Sequence, residues 1–390
     1  MSLINNNYNK YCNNCIYDSN VSGITFDSYG VCNYCNLINS IKKEYKTGTH
    51  EGEKNFQIIL NKIKSESKKK KYDAVVGVSG GTDSSYLLWL MKKKYNLRIL
   101  AVHYDNTWNT SIATQNIKKI TSKLDIDLFT YVCDNEESDD IFKSFFYAGV
   151  PEIDGPTDIA LMEVLYRAAS KFKIKYIFEA HSFIAEGISP LGVAYVDGRY
   201  IKKIHEKFGQ IKMKTFPNMS LLKFLYWTIF KRIKRIRPLW YINYSKEEAI
   251  SFLKQEFNWE YYGGHHLENR MTAFHHSYYN PKKFKIDQRN NSLSASVRNK
   301  KISKKEALDL YREKPFIEKN LLDYFKKRLN ISDDEFNFIM LNKPKYYFDY
   351  KTYKKHFEVL RPFFFLCVKF NLVPYSFYKK YCFKDEIKKN

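Results

Sequence analysis

Apolar and polar positions alternate in blocks along the first half of this chain. Ala74-Val75-Val76-Gly77-Val78 is too short for a helix and rich in Val, the pattern of a strand buried on both faces. After the polar stretch Ser79–Ser85, Tyr86-Leu87-Leu88-Trp89-Leu90-Met91 predicts a helix that closes on Lys92, Lys93 and Lys94 at its negative end. Arg98–Tyr104 reads as a second buried strand ending at Asp105 and Asn106. A helix over 110–124, a strand near Leu128–Val132, a helix over 157–172 and a strand at Tyr176–Glu179 follow. Pro156-Thr157-Asp158 marks the start of the last helix, with Thr157 or Asp158 as cap. Such alternation predicts a parallel sheet with helices on both faces and ligands at the carboxyl ends of its strands.

The flanks differ from this block. Residues 41–71 are Lys-rich and polar with helical character, and beyond 200 the chain turns aromatic, basic and mostly helical. Leu221, Leu222, Leu225, Ile229, Ile233 and Ile236 recur at helical spacing, with six basic residues between Lys223 and Arg237 on other positions. A segment of this kind is a core-facing helix with a solvated back, a phosphate-binding face or an interfacial membrane helix. Three regions result: 1–45, 46–200 and 201–390. The uncharged runs Phe224–Phe230 and Pro362–Val368 are far below the roughly 20 residues that span a bilayer. With residues 1–20 polar, a cytoplasmic protein is expected, soluble or in peripheral contact with a membrane.

Charge widens the choice of partner without deciding it. Against 42 Asp+Glu stand 65 Lys+Arg, a net +23 over 390 residues, which suits nucleic acid, anionic lipid or a phosphorylated substrate. Cysteine usage is sharper. Cys12-x2-Cys15 and Cys32-x2-Cys35, sixteen residues apart, match the two-knuckle zinc pattern, with Gly30 fitting a tight turn before the second pair. Four protein ligands fill a tetrahedron, so this zinc is expected to be structural. Cys133, Cys367 and Cys382 are isolated and read as ordinary thiols.

The loop between the first strand and helix carries the chemistry. Gly80 and Gly81 let backbone N–H groups approach a phosphate, and Ser79, Thr82, Ser84 and Ser85 add hydroxyl donors. Asp83 would repel that anion unless it holds Mg²⁺; Glu186 is a second candidate ligand, or else a solvent-facing loop carboxylate. The GxxxxGK[ST] pattern is absent. SGGxDS resembles instead the PP-loop of ATP pyrophosphatases, which release AMP and pyrophosphate by adenylating a carbonyl oxygen. The expected fold is thus α/β: a PP-loop, adenine nucleotide α-hydrolase-like sheet with an N-terminal zinc knuckle and a mostly helical C-terminal region.

Further motifs, in order and spacing over roughly residues 10–315, resemble the N-acetyl sugar amidotransferases of lipopolysaccharide and nonulosonic-acid pathways. They are Cys12–Cys35, Val78–Ser85, Pro156-Thr157-Asp158, Ala180-His181-Ser182-Phe183 with Glu186-Gly187, and Pro190-Leu191-Gly192. Asp197–Ile201, Lys214-Thr215-Phe216-Pro217, Trp259-x-Tyr261-Tyr262-Gly263-Gly264-His265-His266-x-Glu268 and Lys283-Phe284-x-x-Asp287-x-Arg289 continue the series. The chain departs from the family pattern at Ala180, His265 and His276. The resemblance implies an enzyme using ATP and Mg²⁺ to convert the acetamido group of a nucleotide-activated sugar into an acetamidino group, in O-antigen or related surface glycan synthesis. Asp83 and Glu186 would hold Mg²⁺, and His181 would handle a proton or merely stabilise its loop. Glu268, Asp287 and Arg289 would line the sugar-nucleotide pocket or form a surface ion-pair set. No cysteine has a glutaminase context, and position 2 is Ser2. The chain therefore reads as a synthetase half; the resemblance implies a separate glutaminase and a cyclase-like ammonia conduit as partners, and nucleic acid is not expected. The nearest rival is a tRNA-modifying PP-loop enzyme of the lysidine synthase or thiolase type. Thiolation usually needs paired cysteines, and only Cys133 lies in the α/β region outside the knuckles. A zinc-ribbon RNA-binding protein is the third reading.

Overall fold

Val-rich runs with no polar face must be covered on both sides, and the chain achieves this with five parallel strands. A computed structural model describes residues 10–189, 195–264, 267–370, 372, 373 and 375–384. The strands are β1 (Ala74–Gly77), β2 (Ile99–Asp105), β3 (Asp127–Val132), β4 (Tyr176–Phe178) and β5 (Lys234–Ile236). Their order across the sheet is β3-β2-β1-β4-β5, parallel throughout. The winding direction reverses at β1, which opens a crevice at the carboxyl ends of β1 and β4.

Helices pack on both faces. They are α1 (Asn33–Tyr45), α2 (His50–Ser67), α3 (Thr82–Trp89), α4 (Ser111–Leu124), α5 (Asn135–Ala148) and α6 (Gly155–Lys171). One face buries Phe142, Phe145, Leu165 and Ile177; the other buries Phe56, Leu60, Leu88 and Met91. Gly77 permits the close approach of α6, since a Cβ there would meet Leu165 Cδ2 at 3.3 Å. Thr110 caps α4 by accepting from Ala113 N at 3.2 Å, and Asp134 caps α5 by accepting from Glu137 N at 2.9 Å.

Three details differ from the sequence reading. Helix α6 starts at Gly155 after Asp154, so neither Thr157 nor Asp158 is its cap; Thr157 Oγ1 instead donates to Asp154 Oδ1 at 2.7 Å. The stripe from Leu221 to Ile236 is not one helix. A short helix (Leu221–Leu225) and a π turn (Tyr226–Phe230) end at Arg232, whose φ is +51°, and the chain then enters β5. Strand β5 escapes hydrophobic patterning because two of its three side chains, Lys234 and Arg235, are cations. The Arg235 charge is met inside the fold: Arg235 and, just past the strand, Arg237 both donate to Glu179, the latter at 2.8 Å. Burial alone would raise the Glu179 carboxyl, but the two guanidinium groups outweigh it and hold its pKa down at about 2. The sheet therefore takes its last strand from the region beyond 200. Lastly, α5 lies where no helix was expected.

No helix among the described residues is long and apolar enough to cross a membrane.

Candidate active site

The loop after β1 turns on Gly80, whose φ is +81°. A Cβ there would lie 2.2 Å from Ala113 O, so only glycine fits the approach to α4. Gly81 N donates to Ser79 Oγ at 3.2 Å, and Ser84 Oγ donates to Gly81 O at 3.3 Å, which fixes the loop from within. Thr82 Oγ1 is fully buried and has no hydrogen-bond partner. An orphaned hydroxyl at a helix start beside a glycine turn is the feature a bound phosphate oxygen would satisfy.

A distant segment laces over this loop. Trp259 Nε1 donates to Gly80 O at 3.2 Å, and Asn116 joins α4 to Glu260 through both backbone groups. Tyr262 OH accepts from Thr82 N at 3.2 Å, and Ser79 Oγ donates to Glu268 Oε1 at 3.3 Å. Thr110 N donates to Glu268 O at 2.9 Å. Glu268, 6 % exposed, thus lies at the glycine loop itself.

Asp83 and Glu186 meet. Glu186 ends α7 (Phe183–Glu186), a single turn capped by Ser182 and closed by Gly187 at φ +76°. Lys246 Nζ stands 2.9 Å from Asp83 Oδ2 and 3.3 Å from Glu186 Oε1. Tyr244 OH donates to Asp83 Oδ1. Burial, with the Glu186 charge close by, raises the Asp83 carboxyl above its ordinary pKa, and Lys246 and Tyr244 oppose that rise. Two carboxylates gathered on one cation are a donor set that would suit a divalent ion.

His181 lies beside these groups. Trp240 Nε1 donates to its Nδ1 at 3.3 Å, and burial holds its pKa below the usual imidazole value, so the ring is neutral at pH 7. Asp287 and Arg289 do not join this cluster through any of their bonds. They pair with each other at 2.7 Å, and Arg289 also donates to the carbonyls of Leu310, Tyr311 and Glu313. Their bonds clamp the helix Lys304–Arg312 to the helix Arg289–Arg298. Pro190-Leu191-Gly192, His265 and His266 lie outside the described residues.

Lys246, Tyr244 and the role of Tyr262 were not singled out in the sequence. One signal was available for Lys246. It opens the helix Lys246–Phe257, where a cation opposes the helix dipole, so some other group must hold it.

The four knuckle thiols converge as the spacing requires. All lie within 4.8 Å of one another, with Cys12–Cys35 at 3.8 Å and Cys15–Cys32 at 3.9 Å. Zinc–sulfur bonds of about 2.3 Å give a tetrahedral edge of about 3.8 Å, so the set fits zinc. Gly30, at φ +70°, makes the turn before Cys32. Backbone N–H groups of Asn14, Tyr17 and Cys32 point at the sulfurs. The knuckle rests on the helix Arg289–Arg298 through Tyr17 OH, which donates to Asn291 Oδ1 at 2.6 Å. Arg298 Nη1 lies 3.7 Å from Cys35 Sγ.

Residues 268–362 match the C-terminal domain of WbpG-like lipopolysaccharide biosynthesis proteins. That match begins at Glu268 and supports the family named from the motifs. An uncharacterized protein of Methanocaldococcus jannaschii is 27 % identical over 171 residues, which are 44 % of this chain and 58 % of that protein. The chain thus spans less than two thirds of that relative. Among solved structures, NMN synthetase from Francisella tularensis is similar at 14 % identity and TM-score 0.31, over 72 % of this chain and 93 % of that one. The NH3-dependent NAD synthetase from Campylobacter jejuni gives 11 %, 0.31, 75 % and 97 %. The U34-tRNA thiolase NcsA from Methanococcus maripaludis gives 16 %, 0.29, 78 % and 90 %. Superpositions this loose add nothing to the strand order already described.

Proposed function

We propose that this protein is an ATP-dependent amidotransferase, the synthetase half of a system that converts the acetamido group of a nucleotide-activated sugar into an acetamidino group. The observation that carries the reading is the meeting of Asp83 and Glu186 around one cation at the mouth of the glycine loop. The WbpG-like region, beginning with the residue that touches Ser79, supports surface glycan synthesis as its setting.

An amide oxygen is a poor leaving group, so ammonia cannot displace it unaided. In the proposed reaction that oxygen attacks the α-phosphorus of ATP, and the bond to pyrophosphate breaks. Ammonia then adds to the activated carbon, a proton is lost, and AMP departs with the oxygen. Ser79, Gly80, Gly81, Thr82, Ser84 and Ser85 would hold the pyrophosphate. Asp83 and Glu186 would hold Mg²⁺, which offsets phosphate charge. Neutral His181 suits removal of the proton from the incoming ammonium-derived nitrogen. Lys246, which pairs with both carboxylates, would add a positive charge beside the phosphates.

All seven cysteines are buried, and burial pushes the Cys133 thiol up to about 11. A thiol so suppressed suits neither a glutaminase nucleophile nor a thiolase, so ammonia is proposed to arrive from a separate glutaminase through a cyclase-like subunit. The test is AMP release with ATP, Mg²⁺ and ammonium salt, given nucleotide-linked N-acetylated sugars or, separately, bulk tRNA. Sugar-dependent AMP with a product in which O is replaced by NH is expected. AMP released only with tRNA would replace this reading with the tRNA-modifying one.

A further inference from the structure

The segments 221–230 and 353–383 share a core of their own, separate from the two that flank the sheet. Phe224, Phe357, Phe364, Cys367 and Val373 are buried in it. The outer faces of the same elements are left bare. Leu222, Tyr226 and Phe230 follow one another at four-residue steps and are 79, 42 and 78 % exposed. Phe363, Leu366 and Phe370 recur at steps of three and four along and just past the helix Arg361–Lys369, and are 38, 52 and 70 % exposed; Val359, at the end of the preceding helix, is 79 % exposed. Single exposed apolar residues are ordinary on a protein surface, but two such stripes over one small core mark a contact face.

Charge decides what the face fits. Lys231, Arg232, Lys355, Arg361, Lys369 and Lys379 are exposed on these segments or directly after the first of them. No ion pair joins any of them to a carboxylate among the described residues, unlike Lys223, which pairs with Glu163 at 3.5 Å. Lys231 lies 5.5 Å from the Tyr226 ring centroid and Lys369 lies 4.8 Å from that of Phe365, so their stems run along the apolar surface with the ammonium at its edge. Protein interfaces are depleted in Lys, and a second copy of this chain would bring like charges together. An interfacial layer of acyl chains below anionic headgroups meets both requirements at once.

We propose that this face docks on an anionic phospholipid surface, with Leu222, Phe230, Leu366 and Phe370 entering the acyl boundary and the exposed cations meeting headgroup phosphates. Docking is peripheral, and it holds the sheet and its crevice outside the bilayer. The inference rests on exposure and charge, not on the proposed reaction.

The test is sedimentation of the full-length protein with vesicles of phosphatidylcholine alone or mixed with phosphatidylglycerol. Binding is expected to the mixed vesicles and to weaken with salt. Two double variants separate the contributions: L222S with F230S, and K231Q with K369Q. Both alter exposed side chains and should keep the wild-type melting temperature. Neutralising the two cations should lower the partition coefficient on the order of thirtyfold, and the serine variant should abolish sedimentation. Failure of the wild type to bind would overturn the proposal, as would binding unchanged by L222S with F230S. A concentration-dependent dimer that L222S with F230S dissolves, without vesicle binding, would assign the face to a second copy instead.

Discussion

Lys246 Nζ lies 2.9 Å from Asp83 Oδ2, and the same ammonium lies 3.3 Å from Glu186 Oε1, beyond the carboxyl end of the neighbouring strand. A cation from the region beyond 200 thus holds together two carboxylates presented by β1 and β4. Replacing Lys246 with Met leaves both carboxylates adjacent and uncompensated, which should cost on the order of 3 kcal/mol. Added Mg²⁺ should then raise the melting temperature of K246M more than that of the wild type, because the metal no longer displaces an ammonium. Equal Mg²⁺ responses in the two proteins would show that the metal binds elsewhere.

Glu268 and Arg289 were grouped by motif but are separated by their contacts. Glu268 touches Ser79 of the glycine loop, whereas Arg289 is spent on Asp287 and three backbone carbonyls. Glu268→Gln should therefore lower kcat for AMP release at least about tenfold with little change in melting temperature. Arg289→Ala should do the reverse, destabilising by about 2 kcal/mol through the broken clamp with kcat kept at low temperature. Steady-state kinetics beside thermal melts distinguish the two, and matching profiles would contradict the separation.

Zinc should act on the active site from a distance. The knuckle touches the helix Arg289–Arg298 through Tyr17 and Arg298, and Asn299 Nδ2 just beyond that helix donates to Ile184 O of α7 at 2.7 Å. Glu186 ends that same turn. One zinc per chain is expected by elemental analysis. Cys32→Ser should lower that ratio, and limited proteolysis should then cut within residues 10–45 and near 183–187. Zinc loss with cleavage confined to the knuckle would break the proposed link.

The parts of this molecule legible in the sequence are those set by local pattern. Strands β1 to β4 announce themselves because Val, Ile and Leu runs have no other use, and the knuckle because metal geometry fixes Cys12, Cys15, Cys32 and Cys35. Strand β5 stayed hidden since its neutralising partner, Glu179, is far away in sequence. Lys246 and Tyr262 stayed hidden for the same reason: each acquires its role only when a distant segment folds back over the glycine loop. Helix α5 was missed although Asp134 caps it and Gly149 ends it, because its acidic first half masks the apolar face formed by Ile141, Phe142, Phe145 and Phe146.

Glu152 gives the fold a pH signature apart from the active site. It is 3 % exposed, its Oε1 accepts from Tyr195 N at 3.1 Å and its Oε2 accepts from Tyr200 OH at 3.2 Å. Burial outweighs those bonds and pushes its pKa from 4.5 up to about 7. The folded chain therefore binds this proton more tightly than the unfolded chain. The associated stability is fully present below about pH 4.5 and is lost as pH rises through about 7. The difference amounts to about 3 kcal/mol. Glu152→Gln keeps an acceptor oxygen for Tyr195 N and removes the titration. Urea denaturation should find the variant close to wild type at pH 5 and the more stable of the two at pH 8. Parallel stability curves across that range would mean that Glu152 titrates in the folded chain as it does in water.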